Sequence, residues 1–345
     1  VKTVTSDTIL VKFANLPDID AMQRVTIVGF PGALASTITG MMDLFQLAGV
    51  TWARIQGSEP EQLFSVELLT LDGAPCRCLN GISLLAHGSL ADHPPGDLVL
   101  VPTIGGPIEK TLAEAGPILG WLNQQAIAGS TIASNCTGAF LLGEAGLLDG
   151  KKATTHWGFS DLFRQRFPAV DCHPEQLVTV DGSIACAGGG TAWWDLGILL
   201  IERFAGAQVA RELAKAFVVD AGRRSQAPYS AMQTKRYHQD DTILALQDWL
   251  DTHYAYPVTT DDLVQQSGLS SRSLLRRFKA ATGDTPHRYL QLLRIEAARH
   301  LLETTPCPVE QVTHKVGYDD VSSFTRLFKR VTGLPPNVYR SRFGR

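Results

Sequence analysis

Apolar positions along the first two-thirds of the chain fall in short unbroken runs, separated by stretches with helical spacing. "RVTIVGF" (24–30) is β-branched and apolar and ends at Pro31-Gly32, which predicts a buried strand. "STITGMMDLFQLAG" (36–49) repeats its apolar residues at helical intervals and stops at a glycine. Strands are predicted at "LFSVELLTL" (63–71), "DLVLVPT" (97–103) and "STIASN" (130–135). Helices are predicted at 108–125, with a break at Pro117, and at 137–148, 158–167, 191–206 and 207–220. In 176–188, Asp181-Gly182 separates two alternating runs, a hairpin signal. Near-continuous apolar strands alternating with helices imply a mostly parallel sheet covered on both faces, an α/β domain over 1–220.

The pattern then changes. Residues 221–240 have no period and contain a proline, and are read as a linker. From 241 to 345 every segment is helical. In 259–283, Thr260 is the expected helix cap, Leu263 and Val264 form an apolar face, and Gly268 supplies a turn with positive φ. A second helix follows, with Leu274, Phe278 and Ala281 inward and Arg272, Arg276 and Lys279 outward. Residues 308–333 repeat the arrangement, from Val309 and Val312 through the turn "VGYDD" to a helix with Phe324, Leu327, Phe328 and Val331 inward. Its outward residues are Arg326, Lys329 and Arg330, and "RRFKAATG" and "RLFKRVTG" lie fifty residues apart. The segment 286–304 between them predicts a connecting helix of about 28 Å, at ~1.5 Å per residue. Two helix-turn-helix units on such a strut could reach successive major grooves, about 34 Å apart.

Charge sharpens this division. Residues 1–240 hold 17 Lys/Arg against 23 Asp/Glu, whereas from Ser270 onward the count is 14 against 6. A basic end on an acidic body is suited to a polyanion, double-stranded DNA in this case; a solvated basic face is the plain alternative. Six cysteines show neither zinc-ligand spacing nor a dense disulfide pattern, so a reducing cytoplasm and no metal or cofactor are expected. Cys76 and Cys78 are too close for a structural bridge and read as incidental thiols. No apolar run is long enough to cross a membrane, and "VKTVTSDTILVKFANLPDID" lacks the pattern of a signal peptide.

One cysteine is placed for chemistry. Cys136 follows the "TIASN" strand and precedes a helix, where a side chain points into the crevice at the strand ends. A helix N-terminus favours the thiolate, and the Thr137 N–H could bind an oxyanion, with Gly105-Gly106 offering a second donor. His156 follows a short extended stretch and could reach the thiol. A buried inert thiol and an ordinary glycine turn account for the same residues.

Together, "SNCTGAFLLGEAGLLDGKKATTHW" resembles the nucleophile-elbow and histidine region of class I glutamine amidotransferase-like proteins, in their PfpI-like branch. The resemblance spans about 23–206 and implies a flavodoxin-like sheet, with Cys136 as nucleophile and His156 as base. The chain departs from the enzymes on the first helix: "LASTITGMM" offers Ser36 and Thr37 where many members carry an acid, and Asp43 lies further along. Asp161 is the remaining candidate to orient His156, or a solvated carboxylate. Without an orienting acid a Cys–His pair loses much of its catalytic logic. No catalytic residue is therefore expected, and Cys136 and His156 read as vestigial.

The last hundred residues are similar to the AraC/XylS transcriptional regulators, carried by "LSSRSLLRRFKAATGDTPHRYL", by Arg294, Ala298, Leu301 and Leu302, and by "VGYDDVSSFTRLFKRVTGLPPNVYR". The resemblance implies DNA contacts from Ser271, Arg272, Arg276 and Lys279, and from Asp320, Ser322, Ser323, Arg326, Lys329 and Arg330. Arginine can read guanine bidentately, while Lys279, Lys329 and Arg330 are better placed for phosphate. The two resemblances together mark a GlxA-type subgroup. This implies a homodimeric activator working with RNA polymerase and controlled by a small effector, such as an amino acid or amine derivative. The expected effector residues are Gly105, Gly106, Cys136, Thr137, His156 and Trp157, and Trp193 and Trp194 are either a box for a cationic head group or core aromatics. The alternatives are a cysteine hydrolase, amidase or glyoxalase-like enzyme fused to a DNA-binding module, or a thiol redox sensor.

Overall fold

The computed structural model describes residues 22–220, 222–232, 236 and 238–344. The stretch 1–20, read for a signal peptide, lies outside these residues, as do parts of the presumed linker. The chain divides into two compact units, Val1–Gln226 and Ala227–Arg345.

In the first unit the order is β1 (Gln23–Val28), α1 (Ala35–Leu47), α2 (Thr51–Gln56), β2 (Phe64–Thr70), β3 (Cys76–Arg77), β4 (Ser83–Leu84), β5 (Gly88–Ser89) and β6 (Leu98–Val101). Then come α3 (Ile108–Glu114), α4 (Gly116–Ile127), β7 (Thr131–Asn135), α5 (Ala139–Glu144), β8 (Lys152–Ala153), α6 (Ser160–Arg166), β9 (Asp171–Cys172), β10 (Val178–Asp181), β11 (Ile184–Ala187) and α7 (Trp193–Ala216). The main sheet runs β10-β11-β7-β6-β1-β2-β5. Every pairing in it is parallel except β10 with β11, the hairpin turning at Gly182 (φ 62). Its inner strands are buried, as strands covered on both faces must be. The helical stretch breaks at Ala115, between α3 and α4, with Pro117 in the first turn of α4, and the two helices expected over 191–220 are consecutive, joined at Gly206 (φ 88).

The second unit holds α8 (Asp241–His253), α9 (Thr260–Ser267), α10 (Ser271–Thr282), α11 (Pro286–Thr304), α12 (Val309–Lys315), α13 (Val321–Thr332) and α14 (Pro336–Phe343). It has two cores. Ile243, Leu246, Leu250, Leu263, Leu274, Phe278, Tyr289 and Leu290 form one, and Ile295, Ala298, Leu302, Val312, Val316, Phe324, Leu327, Phe328 and Tyr339 the other. The N-terminal part of α11 belongs to the first lobe and its C-terminal part to the second.

One cap differs from expectation. Thr259, not Thr260, caps α9, because its hydroxyl accepts from Asp262 N–H while the Asp262 carboxylate accepts from Thr259 N–H, a reciprocal box. The stretch read as a linker is also held down where it is described. Leu177 N–H donates to Arg224 O, Ser225 Oγ to Glu175 O and Gln226 N–H to Glu175 O, and Asp240 caps α8 and pairs with Arg277.

Candidate functional site

Cys136 sits at the end of β7, where the chain turns sharply into a 3-10 turn (Cys136–Gly138) ahead of α5. Its φ of 56 is a left-handed value, one of two among the described non-glycine residues. The turn is possible because residue 138 is glycine: a Cβ there would lie 2.5 Å from Pro102 O. The thiol is 5% exposed. Burial raises its pKa above the ordinary cysteine value, against hydrogen bonds from Thr137 N–H, the Thr137 hydroxyl and the Thr103 hydroxyl that favour the thiolate. Desolvation of the charged form outweighs the turn's donors and opposes the thiolate expected at a helix N-terminus.

The oxyanion donors are also engaged. Thr137 N–H already meets the Cys136 sulfur, and Gly105 N–H donates to Gly32 O at 2.9 Å. Gly105 is packed as well, since a Cβ there would lie 2.9 Å from Leu79. Gly106 has open space around it.

His156 is half-buried, and its Nδ1 accepts from Gly158 N–H at 3.0 Å. Among the described residues no hydrogen bond joins it to Cys136, and no carboxylate is hydrogen-bonded or ion-paired to either one. Burial holds the imidazole below the ordinary histidine range. A proton NMR titration should find His156 more than half neutral at pH 6.5, the value for a free histidine. A midpoint at or above that pH would contradict the environment described.

Further hydroxyl and amide side chains complete the surroundings. Asn135 Nδ2 donates to Thr103 Oγ1 at 2.7 Å, and Thr37 and Thr103 hydroxyls meet at 3.4 Å. Thr37 is buried and Asp43 exposed, so α1 brings a hydroxyl inward and no charge. Thr155 Oγ donates to Cys136 O at 2.9 Å. Behind the turn, Thr37, Ser134, Asn135 and neighbouring apolar residues line a cavity of ≈ 10 Å³, room for about one water.

The aromatic residues divide. Trp157 is half-buried, 5.2 Å from the His156 ring, and exposed Phe159 meets the same ring at 5.7 Å. Trp193 is a core residue: a Cβ at Gly40 of α1 would lie 2.1 Å from its ring, and Trp194 stacks on it at 4.3 Å. No group of three metal-ligating side chains occurs among the described residues.

In the second unit, α10 and α13 present the predicted basic faces. Ser271, Arg272, Arg276 and Lys279 are exposed on α10, and Ser322, Ser323, Arg326, Lys329 and Arg330 on α13. The neighbouring Arg277 turns inward to a two-point pair with Asp240 at 2.9 and 2.6 Å, which separates it from the outward arginines. Asp320 caps α13, accepting from Ser323 N–H at 2.7 Å, and hydrogen bonds from the Ser323 hydroxyl and backbone N–H hold its carboxyl below the usual range. Arg326 donates to Ser323 Oγ at 3.1 Å, which orients its guanidinium along the exposed face. Arg294 points inward, donating to Tyr254 O and Tyr256 O at 2.7 and 2.8 Å beneath the Tyr318 ring.

The helix-turn-helix domain family matches residues 263–342, and the DJ-1/PfpI family matches 42–203. The HTH-type transcriptional regulator CdhR of Pseudomonas aeruginosa is 31% identical over 280 residues, covering 81% of this chain and 82% of the relative. The chain belongs to the AraC-type transcriptional regulators that carry a DJ-1/PfpI domain. In this family the mostly parallel sheet is the DJ-1/PfpI domain and the helical unit binds DNA. A putative transcriptional regulator of Vibrio parahaemolyticus shares the fold of the first unit, with a TM-score of 0.50 at 23% identity over 57% of this chain and 100% of that one. The isonitrile hydratase of Pseudomonas putida is 33% identical over 178 residues, covering 50% of this regulator and 75% of the hydratase. No helix of the described residues is long and apolar enough to cross a membrane.

Proposed function

We infer that this regulator senses a small metabolite beside Cys136 and does not turn it over. What supports it is that the thiol is buried, with no base and no carboxylate bonded to it among the described residues. The nearby groups, Thr103, Asn135, Thr137 and a neutral His156, are uncharged, and suit an effector recognised by hydrogen bonds. The cavity behind the turn is too small for a metabolite, so the effector lies toward His156, Trp157, Gly106 and the glycines 188–190. An amino acid or amine derivative satisfies this with its uncharged portion. Occupancy then changes operator affinity, and the regulator acts in the cytoplasm as a homodimer through residues 1–220, activating transcription with RNA polymerase. The outward residues of α10 and α13 make the DNA contacts.

A thermal-shift screen of metabolites finds the effector, because a ligand of the folded state raises the melting temperature. Replacing Cys136 by alanine then weakens effector binding by about 0.5–1.5 kcal/mol, the scale of one hydrogen bond. A reporter titration shifts to higher inducer and reaches the wild-type plateau. The similarity to a hydratase supports a second reading, in which a product is the signal. That reading requires a flat titration in Cys136→Ala at every concentration.

A further inference from the structure

We propose that Gln226 is the positioning residue through which the effector site inferred beside Cys136 acts on the DNA-binding unit. Gln226 is the last residue of the first unit and 2% exposed, in a stretch whose composition reads as a linker. Its amide is fully engaged. Oε1 accepts from Gly189 N–H at 2.9 Å, and Nε2 donates to Thr155 O at 2.8 Å, Thr154 Oγ1 at 3.2 Å and Gln176 O at 3.2 Å. Both main contacts adjoin Cys136 or His156. Thr155 bonds the Cys136 carbonyl through its hydroxyl, and a Cβ on Gly189 would meet His156 Cδ2 at 3.3 Å and Gln226 Oε1 at 3.4 Å. One side chain therefore grips the two backbone segments that flank the sensing groups, at the point where the chain leaves for the second unit.

Neighbouring bonds make the exit segment follow that grip. Arg223 pairs with buried Asp195 at the start of α7 and donates to Thr191 O, while Arg224, Ser225 and Gln226 bond the backbone at 175–177. Gly188 is the complementary surface, since a Cβ there would lie 2.4 Å from Gln226 Nε2. A buried amide with both ends bonded has a single low-energy placement, and a shift of Gly189 or Thr155 breaks it or carries it along. An effector bound beside Cys136 and His156 would therefore move the anchor of the exit segment.

The proposal rests on the sensor reading, but its test uses DNA. Coupling between sites is reciprocal, so operator binding must be felt at the anchor. Hydrogen exchange of the full chain is followed by mass spectrometry, with and without a duplex from its own promoter region. In the wild type the duplex should change exchange in peptides spanning 153–157 and 186–191 by about fivefold or more, the lower range of allosteric coupling. In Gln226→Ala and in Gly188→Ala, which evicts the amide by a Cβ, this operator-dependent change should vanish. Gln226→Glu keeps the Gly189 bond and loses the Nε2 donors, and serves if either variant melts early. A purely structural role would speed exchange with and without DNA and leave the operator-dependent difference intact; that result overturns the proposal. So does a wild type in which DNA changes neither peptide. An unsuccessful metabolite screen bears on the sensor reading alone, because no effector enters this experiment.

Discussion

Arg326→Ala lowers operator affinity by about 1–3 kcal/mol, roughly 5- to 150-fold, if its guanidinium reads a base. The side chain is exposed on α13 and steadied by Ser323, itself fixed by the Asp320 cap. Less entropy is then lost when it docks on guanine. Arg272→Ala on α10 should behave alike at the other half-site. Lys329→Ala or Arg330→Ala should instead weaken all sequences evenly and reduce the salt slope by about one. Electrophoretic shift assays at several salt concentrations, on the promoter duplex and a scrambled one, separate the two classes. Wild-type affinity in both arginine variants would remove them from base reading.

Phe328→Ala destabilises the helical unit by about 3–5 kcal/mol, the cost of deleting a buried aromatic side chain. Phe328 is fully buried, lies 5.7 Å from the Phe324 ring and meets Tyr339 edge-on at 5.3 Å. Its carbonyl also holds the Thr332 hydroxyl at the end of α13. The loss is comparable to the stability of many small domains, so operator binding should fail with it. Leu275→Ala is the control, since that leucine is 47% exposed and its removal should change stability by less than about 0.5 kcal/mol. Chemical denaturation followed by circular dichroism measures both, and equal midpoints would refute the assigned core.

The main strands were legible because β1, β2, β6 and β7 are apolar runs bounded by turn residues. The two-residue strands β3, β4, β5, β8 and β9 were not, because no periodicity can be expressed over two positions. The fifty-residue repeat was readable down to detail: both second helices end at a glycine with φ 77, and each ends with a buried threonine bonded to a phenylalanine carbonyl. The site was half legible. Cys136 stood out by its place between strand and helix, but its protonation depends on burial set by distant segments, which local sequence does not carry. Thr103 and Asn135 looked like strand ends, although their side chains meet across two strands. Gln226 was hidden more thoroughly, because its partners lie up to 72 residues away and are mostly backbone atoms. The choice between Thr259 and Thr260 turned on Asp262, which sits at the capping-box position for the earlier residue.

Helix α11 contributes Tyr289 and Leu290 to one lobe and Ile295, Ala298 and Leu302 to the other, with no loop between them. The recognition helices are thus set at one separation and one rotation, like teeth on a common shaft. An operator must then match this pitch. Inserting about five base pairs between the half-sites turns the second one to the far side of the duplex. A full turn of about ten restores the face but puts the site beyond the span of the helix. Tolerance to insertion should therefore be lost at every length, unlike that of regulators whose reading heads hang on flexible tethers.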